Sequence, residues 1–85
     1  MVTTHQVKYE GPSSLAVRVA ALLADAEGID LRSAEKQDLG DGSVDAVVLT
    51  LTVEASADDV TEAIGRIGVG LPEGATITAG PVEGP

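Results

Sequence analysis

Residues 44–55 constrain the fold more than any other part of the chain, because they alternate as a β-strand does and are mostly uncharged on both faces. One face would carry Val47, Leu49, Leu51 and Val53, and the other Ala46, Val48, Thr50 and Thr52. A strand without a charged face is typical of the centre of a sheet. The sequence therefore predicts a sheet built around this segment.

Residues 15–26 are predicted to form an amphipathic helix. Apolar residues fall at the i, i+4, i+7 and i+11 positions that share one helix face, namely Leu15, Val19, Leu22 and Ala26. Ser13 is the predicted N-cap, and Gly28 stands where a helix commonly ends in a left-handed residue. The spacing and the two end signals together mark the first helix.

Two extended segments flank this helix. Residues 3–9 alternate as a strand does, with His5, Val7 and Tyr9 on one face. Residues 29–39 form a second extended segment that is richer in charge. Residues 40–42, Gly-Asp-Gly, supply the conformations of a tight hairpin. The second strand is therefore predicted to turn back directly into the central one.

The last third of the chain predicts a helix followed by a strand. Ser56 and Asp59 have the spacing of a capping box, with Asp in place of the commoner Glu. The helical period that follows is carried by Val60, Ala63, Ile64 and Ile67. We expect this helix to end near Gly68, because glycine destabilises a helix interior. Residues 75–79 are predicted to form a short final strand.

The predicted order of elements is therefore β-α-β-β-α-β. Right-handed crossovers arrange this order as an α+β, ferredoxin-like sandwich, with a four-stranded antiparallel sheet in the order 4-1-3-2 and both helices on one face. The 85 residues fit one domain. We expect it to span residues 1–80, with residues 81–85 as a frayed tail.

The composition limits both the core and the partners. With no Phe, no Trp and one Tyr, the core must be aliphatic, and self-association would compensate for its small size. A net charge of −9 argues against binding to nucleic acid and to anionic membranes. The chain has no cysteine, no signal-peptide pattern and no apolar stretch of membrane length. The cytoplasm is the expected location.

No residue pattern indicates a catalytic centre, a metal site or a cofactor. His5 is the only histidine, and we expect it to be exposed to solvent. Asp58, Asp59 and Glu62 cluster at the start of the second helix, where carboxylates interact favourably with the helix dipole. A small enzyme would instead need a carboxylate pair within a pocket. The sequence therefore favours a protein that is not an enzyme.

Two surfaces are candidates for binding. The turn between the first strand and the first helix presents backbone N–H groups that favour an anion, with the hydroxyl groups of Ser13 and Ser14 beside them; ordinary capping is the alternative explanation. The second candidate is the open face of the sheet, which would gather basic residues and dock a protein. Its predicted residues are Lys8, Arg32, Lys36, Val48 and Thr50.

Residues 7–53 resemble an ACT domain. The family has the same order of elements and a helix end similar to residues 25–31, Asp-Ala-Glu-Gly-Ile-Asp-Leu, followed by Ser-Ala-Glu and a glycine hairpin. The resemblance implies a dimer whose sheets join edge to edge and which senses a small molecule. It assigns the ligand-facing turn to Gly11, Ser13 and Ser14, with Ile29 and Leu31 across from it.

These observations leave two hypotheses. The first is a non-catalytic, dimeric ACT-like regulatory module whose effector is a small amino-acid-like ligand. The second is a protein-interaction adaptor that presents its open sheet face or an edge strand to a larger effector. The adaptor is favoured by one departure from the family: the turn is Glu10-Gly11-Pro12-Ser13 and lacks the arginine that many ACT domains carry there.

Overall fold

The computed structural model describes residues 2–38 and 46–81. Its elements are β1 (Thr3–Gly11), α1 (Ser13–Asp25), β2 (Asp30–Asp38), β3 (Val47–Ala55), α2 (Ala57–Val69) and β4 (Thr76–Pro81). All neighbouring strands are antiparallel, in the order β2-β3-β1-β4. The predicted fold and strand order are confirmed. The hairpin expected at residues 40–42 lies outside the described residues.

The core lies between the sheet and the two helices. The inner faces of β1 and β3 are buried at every second residue, and the alternation predicted for residues 47–53 is confirmed. Tyr9, the one aromatic residue of the chain, is the largest of the fully buried side chains. Its hydroxyl group donates a hydrogen bond of 2.9 Å to the carbonyl oxygen of Pro12. The only large ring of the protein therefore fixes the turn that leads into α1.

His5 is buried, and the expectation of an exposed side chain is wrong. Its side chain is 7% exposed, and Nε2 shares a hydrogen bond of 2.7 Å with Oγ1 of Thr3. The residue pairs with Val53 on one side and with Pro81 on the other. Because β4 continues to Pro81, two residues beyond its predicted end, β1 is flanked by strands at this point and His5 follows the inward alternation of Val7 and Tyr9.

The start of α1 differs from the prediction. Pro12 occupies the N-cap position, and no side chain caps the helix, so the assignment of Ser13 as N-cap is wrong. The carbonyl oxygen of Pro12 accepts a hydrogen bond from the N–H of Leu15 at 3.1 Å. The helix ends at Asp25 with Ala26 as its C-cap, and Gly28 follows in the predicted left-handed conformation, at φ +80.

The buried face of α1 is rotated from the predicted stripe. Ala16, Val19 and Leu23 face the sheet and are buried. Leu22 was predicted to lie on the core face, but its side chain is 45% exposed. The sequence pattern could not separate these alternatives, because both Leu22 and Leu23 are apolar. One leucine packs in the core and its neighbour lies at the surface.

The second helix follows the prediction closely. Oγ of Ser56 accepts a hydrogen bond of 3.2 Å from the N–H of Asp59, which confirms the N-cap. Val60, Ala63 and Ile67 are buried. The helix ends at Val69, one residue beyond the predicted end at Gly68. Neither helix within the described residues has the length and apolar character needed to cross a membrane.

Candidate functional site

The turn predicted to face a ligand is tightly packed. Gly11 is buried, and a Cβ atom there would lie 2.7 Å from Oη of Tyr9 and 2.9 Å from Cβ of Ala75. A larger residue therefore cannot be accommodated without movement of the core. Ser13 is half-buried and Ser14 is exposed, so the hydroxyl group of Ser14 is the more accessible of the two. The turn is therefore held closely against Tyr9 and Ala75.

The beginning of α1 retains its positive dipole end. The first turn of α1 carries no acidic side chain, whereas that of α2 carries Asp58 and Asp59. Acidic residues in the first turn partly neutralise the positive end of a helix dipole. The start of α1 is therefore the better of the two helix ends for a carboxylate group.

Ile29 and Leu31, the other two predicted ligand residues, lie at the opposite end of the sheet from Gly11. Ile29 is buried just before β2, and Leu31 is half-buried and pairs with Val53. Gly11 pairs with Val47 on the same strand, β3. At roughly 3.4 Å per residue, Val47 and Val53 are about 20 Å apart along that strand. Within one chain the structure brings Gly11, Ser13 and Ser14 together, but not with Ile29 and Leu31.

A β-bulge changes the predicted open face of the sheet. The register of β2 against β3 shifts between Leu31 and Ser33, so that Lys36 pairs with Leu49. Directly paired residues of an antiparallel sheet lie on the same face, and Leu49 faces the helices. The prediction that Lys36 shares the open face with Lys8 is therefore wrong, because the extra residue reverses the alternation of β2.

The open face is not basic. Lys8 pairs with Thr50 on this face, and Val48 pairs with Glu10. The guanidinium group of Arg32 contacts Asp30 at 3.1 Å and Glu54 at 3.3 Å, so its charge is already matched by two carboxylates. Glu35 pairs with Thr50 and adds a further acidic side chain. The five predicted docking residues therefore do not form a positively charged surface.

The outer edge of β2 lies beside an uncharged side of α1. β2 is an edge strand of nine residues, and α1 contacts it as well as β1 and β3. Val17, Ala20 and Ala24 recur three and four residues apart, on the side of α1 that faces away from α2. Val17 is 74% exposed. The sequence signal for this surface is the low charge of α1, whose only charged residues are Arg18 and Asp25.

No group of three histidine or acidic side chains within the described parts of the chain is arranged to hold a metal ion. The acidic residues at the start of α2 include Asp59, whose N–H donates a hydrogen bond to Oγ of the N-cap residue Ser56. Their local arrangement is explained by the helix start.

The fold is shared with solved structures of different proteins. The ACT domain of a GTP pyrophosphokinase from Chlorobium tepidum superposes with a TM-score of 0.72 at 8% identity, over 93% of this chain and 99% of that one. The C-terminal domain of the MgtC protein from Mycobacterium tuberculosis gives 0.69 at 16% identity, over 94% and 89%. An uncharacterised protein from Thermotoga maritima gives 0.70 at 14% identity, over 98% and 100%.

The sequence itself matches no protein-family model and no curated protein. The structural likeness therefore rests on architecture. It confirms the ACT-like, ferredoxin-like fold that the order of elements predicted.

Proposed function

We propose that this domain is a non-catalytic, dimeric regulatory module of the ACT-like kind, which acts in the cytoplasm and senses a small amino-acid-like ligand. The single observation that carries the proposal is the free edge of β2 next to the uncharged side of α1. A second copy would extend the sheet along β2 and cover Val17, Ala20 and Ala24. β2 carries residues of both charge signs, so a second β2 can supply opposite charges to it.

The proposed dimer also completes the ligand site. A two-fold axis perpendicular to the sheet, between the two β2 strands, makes them antiparallel. In the first copy, residues 11–14 lie at one end of the sheet. That end then lies beside the end of the second copy's sheet that carries Ile29 and Leu31. The two sets of predicted ligand residues, which are separated in one chain, would meet across the dimer.

The chemistry of these residues suits a free amino acid. The N–H groups at the start of α1 and the hydroxyl group of Ser14 would bind the carboxylate group. Leu31 of the second copy, which is half-buried, offers an apolar surface for the side chain, and Ile29 supports it from the core. A ligand that contacts both copies would stabilise one arrangement of the dimer over others, which is a population shift.

Self-association tests the dimer. Sedimentation velocity over a concentration series should give a dimer for the native chain, and Val17→Asp should weaken it about tenfold or more, since the two-fold axis brings two new charges together. Thr4→Asp adds the same charge on the open sheet face and serves as the control. A monomer at all concentrations, or equal effects of the two variants, would contradict the proposal.

Thermal unfolding with each common amino acid at millimolar concentration tests the ligand. A ligand at ten times its Kd stabilises the folded state by about 1.4 kcal/mol, from RT ln(1 + [L]/Kd). For a domain of this size each kcal/mol raises Tm by about 4–8 °C. A shift that is lost in Val17→Asp would place the site at the dimer interface. No shift with any amino acid would exclude this class of ligand.

The adaptor hypothesis keeps one observation in its favour. β4 is the other edge strand, and none of its six residues is charged. A hollow of about 350 Å³ beside it is lined by Val60, Thr61, Ile64 and Pro81 among others. An extended segment of an effector could pair with β4 and place an apolar side chain in this hollow. Thr61→Asp should abolish binding of such a segment, whereas Thr4→Asp should leave it unchanged.

A further inference from the structure

Besides its buried face and the uncharged side that carries Val17, the first helix has an apolar stripe that is only partly covered. Ala16, Val19 and Leu23 pack against the sheet. Leu15, Leu22 and Ala26 form a second stripe that faces α2, and Leu22 remains 45% exposed at its middle. A helix that is apolar on more than one side is normally covered on each of them. Leu22 is therefore the part of this stripe that a partner can reach, while Leu15 and Ala26 pack partly against the core.

This stripe forms one wall of a groove between α1 and α2, which we call the interhelical groove. Ala63 and Ile67 contribute the wall on α2. Three adjoining hollows of about 240, 270 and 180 Å³ make up the groove, and Arg66 borders all of them. From Leu15 to Ala26 the groove follows α1 for about 16 Å, at 1.5 Å per residue. That length corresponds to about three turns of a helix.

The shape of the groove favours a helix over a small molecule. Pockets for small molecules commonly enclose about 300–1,000 Å³ and surround most of the ligand. Each hollow here is smaller than that range, and the three are open and arranged in a line between two helices. An amphipathic helix that lays its apolar face into such a groove is a recurring mode of recognition.

The charges along the groove specify the partner further. Arg18 lies at one end and forms no ion pair within the described part of the chain. Arg66 lies in the middle and contacts Glu62 at 2.6 Å. The other end carries Glu27 and Asp59, and neither forms an ion pair among residues 2–38 and 46–81. The complementary helix is therefore basic where it passes Glu27 and Asp59, and acidic where it passes Arg18.

We propose that the interhelical groove binds an amphipathic helix of a partner protein, with lysine or arginine at the end over Glu27 and Asp59. The net charge of −9 attracts a basic segment over a longer range and increases its rate of association. A second copy of this chain fits the interhelical groove less well than a basic helix does. It would place its own groove against this one, and its negative charge would repel the first copy. The site lies on the opposite side of α1 from Val17, so it does not depend on the proposed dimer.

Selection from a displayed library of random peptides of about 16 residues, enough for the three turns of the groove, tests the proposal. The enriched peptides should have apolar residues with a period of three and four and basic residues towards one end. Leu22→Asp should weaken their binding at least tenfold, since it places a charge in the apolar wall. Val17→Asp adds the same charge to the same helix outside the groove and should leave binding unchanged.

Charge reversal tests the orientation of the helix. Glu27→Lys should weaken the binding of the enriched peptides several-fold. Glu73→Lys makes the same change at an exposed position outside the groove and should leave their binding unchanged. Circular dichroism of each variant establishes that it remains folded. The proposal is overturned if no peptide is enriched, if the enriched peptides alternate with period two, or if Leu22→Asp and Val17→Asp act equally. It is also overturned if Leu22→Asp abolishes self-association, because the occupant would then be a second copy.

The same variants separate this proposal from the proposed function. Val17→Asp should disrupt the dimer and spare peptide binding, whereas Leu22→Asp should do the reverse. A loss of peptide binding alone, or of self-association alone, therefore contradicts only one of the two proposals.

Discussion

At the scale of single residues, the turn into α1 is closely packed. Tyr9 is fully buried, and its hydroxyl group contacts Pro12 while its ring lies against Gly11. A chain with no Phe and no Trp has few large side chains with which to fill its core. This one ring therefore determines how closely the backbone of the turn can approach the core.

Two glycines of this chain should respond in opposite directions to the same substitution. Gly11→Ala places a methyl group against Oη of Tyr9 and Cβ of Ala75, so we expect a loss of about 1–3 kcal/mol in the free energy of unfolding. Gly65→Ala lies within α2 in open space, and we expect a gain of up to about 1 kcal/mol. Urea denaturation measures both. Equal signs for the two variants would contradict the packing described for the turn.

The residues that sequence analysis misplaced have different physical causes. His5 lies on the inward face of β1 with Val7 and Tyr9, and it is buried because β4 extends as far as Pro81. Leu22 is exposed because α2 leaves the groove open, and Lys36 changes face because of the bulge in its own strand. The length of β4 and the position of α2 are set by packing between elements distant in sequence, so local patterns do not predict them.

At the scale of elements, the periodicity of apolar residues predicted the helices and strands, but it did not predict the register of β2 against β3. β3 alternates without interruption, and its face and central position followed from that alone. β2 carries a bulge between Leu31 and Ser33, and no glycine or proline in this strand signals it. One extra residue moved Lys36 to the other face and, together with the ion pairs of Arg32, removed the predicted basic surface.

The two helices differ in how they begin, and this difference makes a prediction. Ser56→Ala removes the oxygen that accepts the N–H of Asp59, so we expect a loss of about 0.5–2 kcal/mol in unfolding free energy. Ser14→Ala lies in the first turn of α1, which has no side-chain cap, and should change stability by less than about 0.5 kcal/mol. Thermal and urea unfolding of both variants measure the contrast. A larger loss for Ser14→Ala would mean that this hydroxyl group supports the start of α1.

At the scale of the whole molecule, a net charge of −9 acts in opposite directions on the two proposed interactions. Two copies of the chain repel each other, and the surfaces that meet in the proposed dimer are largely uncharged along α1. A basic helix is instead attracted by the whole chain and by the acidic end of the interhelical groove. Salt screens both the repulsion between copies and the attraction of the basic helix. Its effects on the two interactions should therefore have opposite signs.

Raising the salt concentration should therefore strengthen self-association and weaken peptide binding. Between about 0.02 M and 0.5 M salt the Debye length falls from roughly 20 Å to about 4 Å, which removes most of the repulsion between copies. Sedimentation velocity should show a larger dimer fraction at the higher concentration. Fluorescence anisotropy of a labelled, enriched peptide should show a Kd that rises several-fold over the same range. If salt instead dissociated the dimer, the charged side chains of β2 would hold it together, and the uncharged side of α1 would not be its main contact.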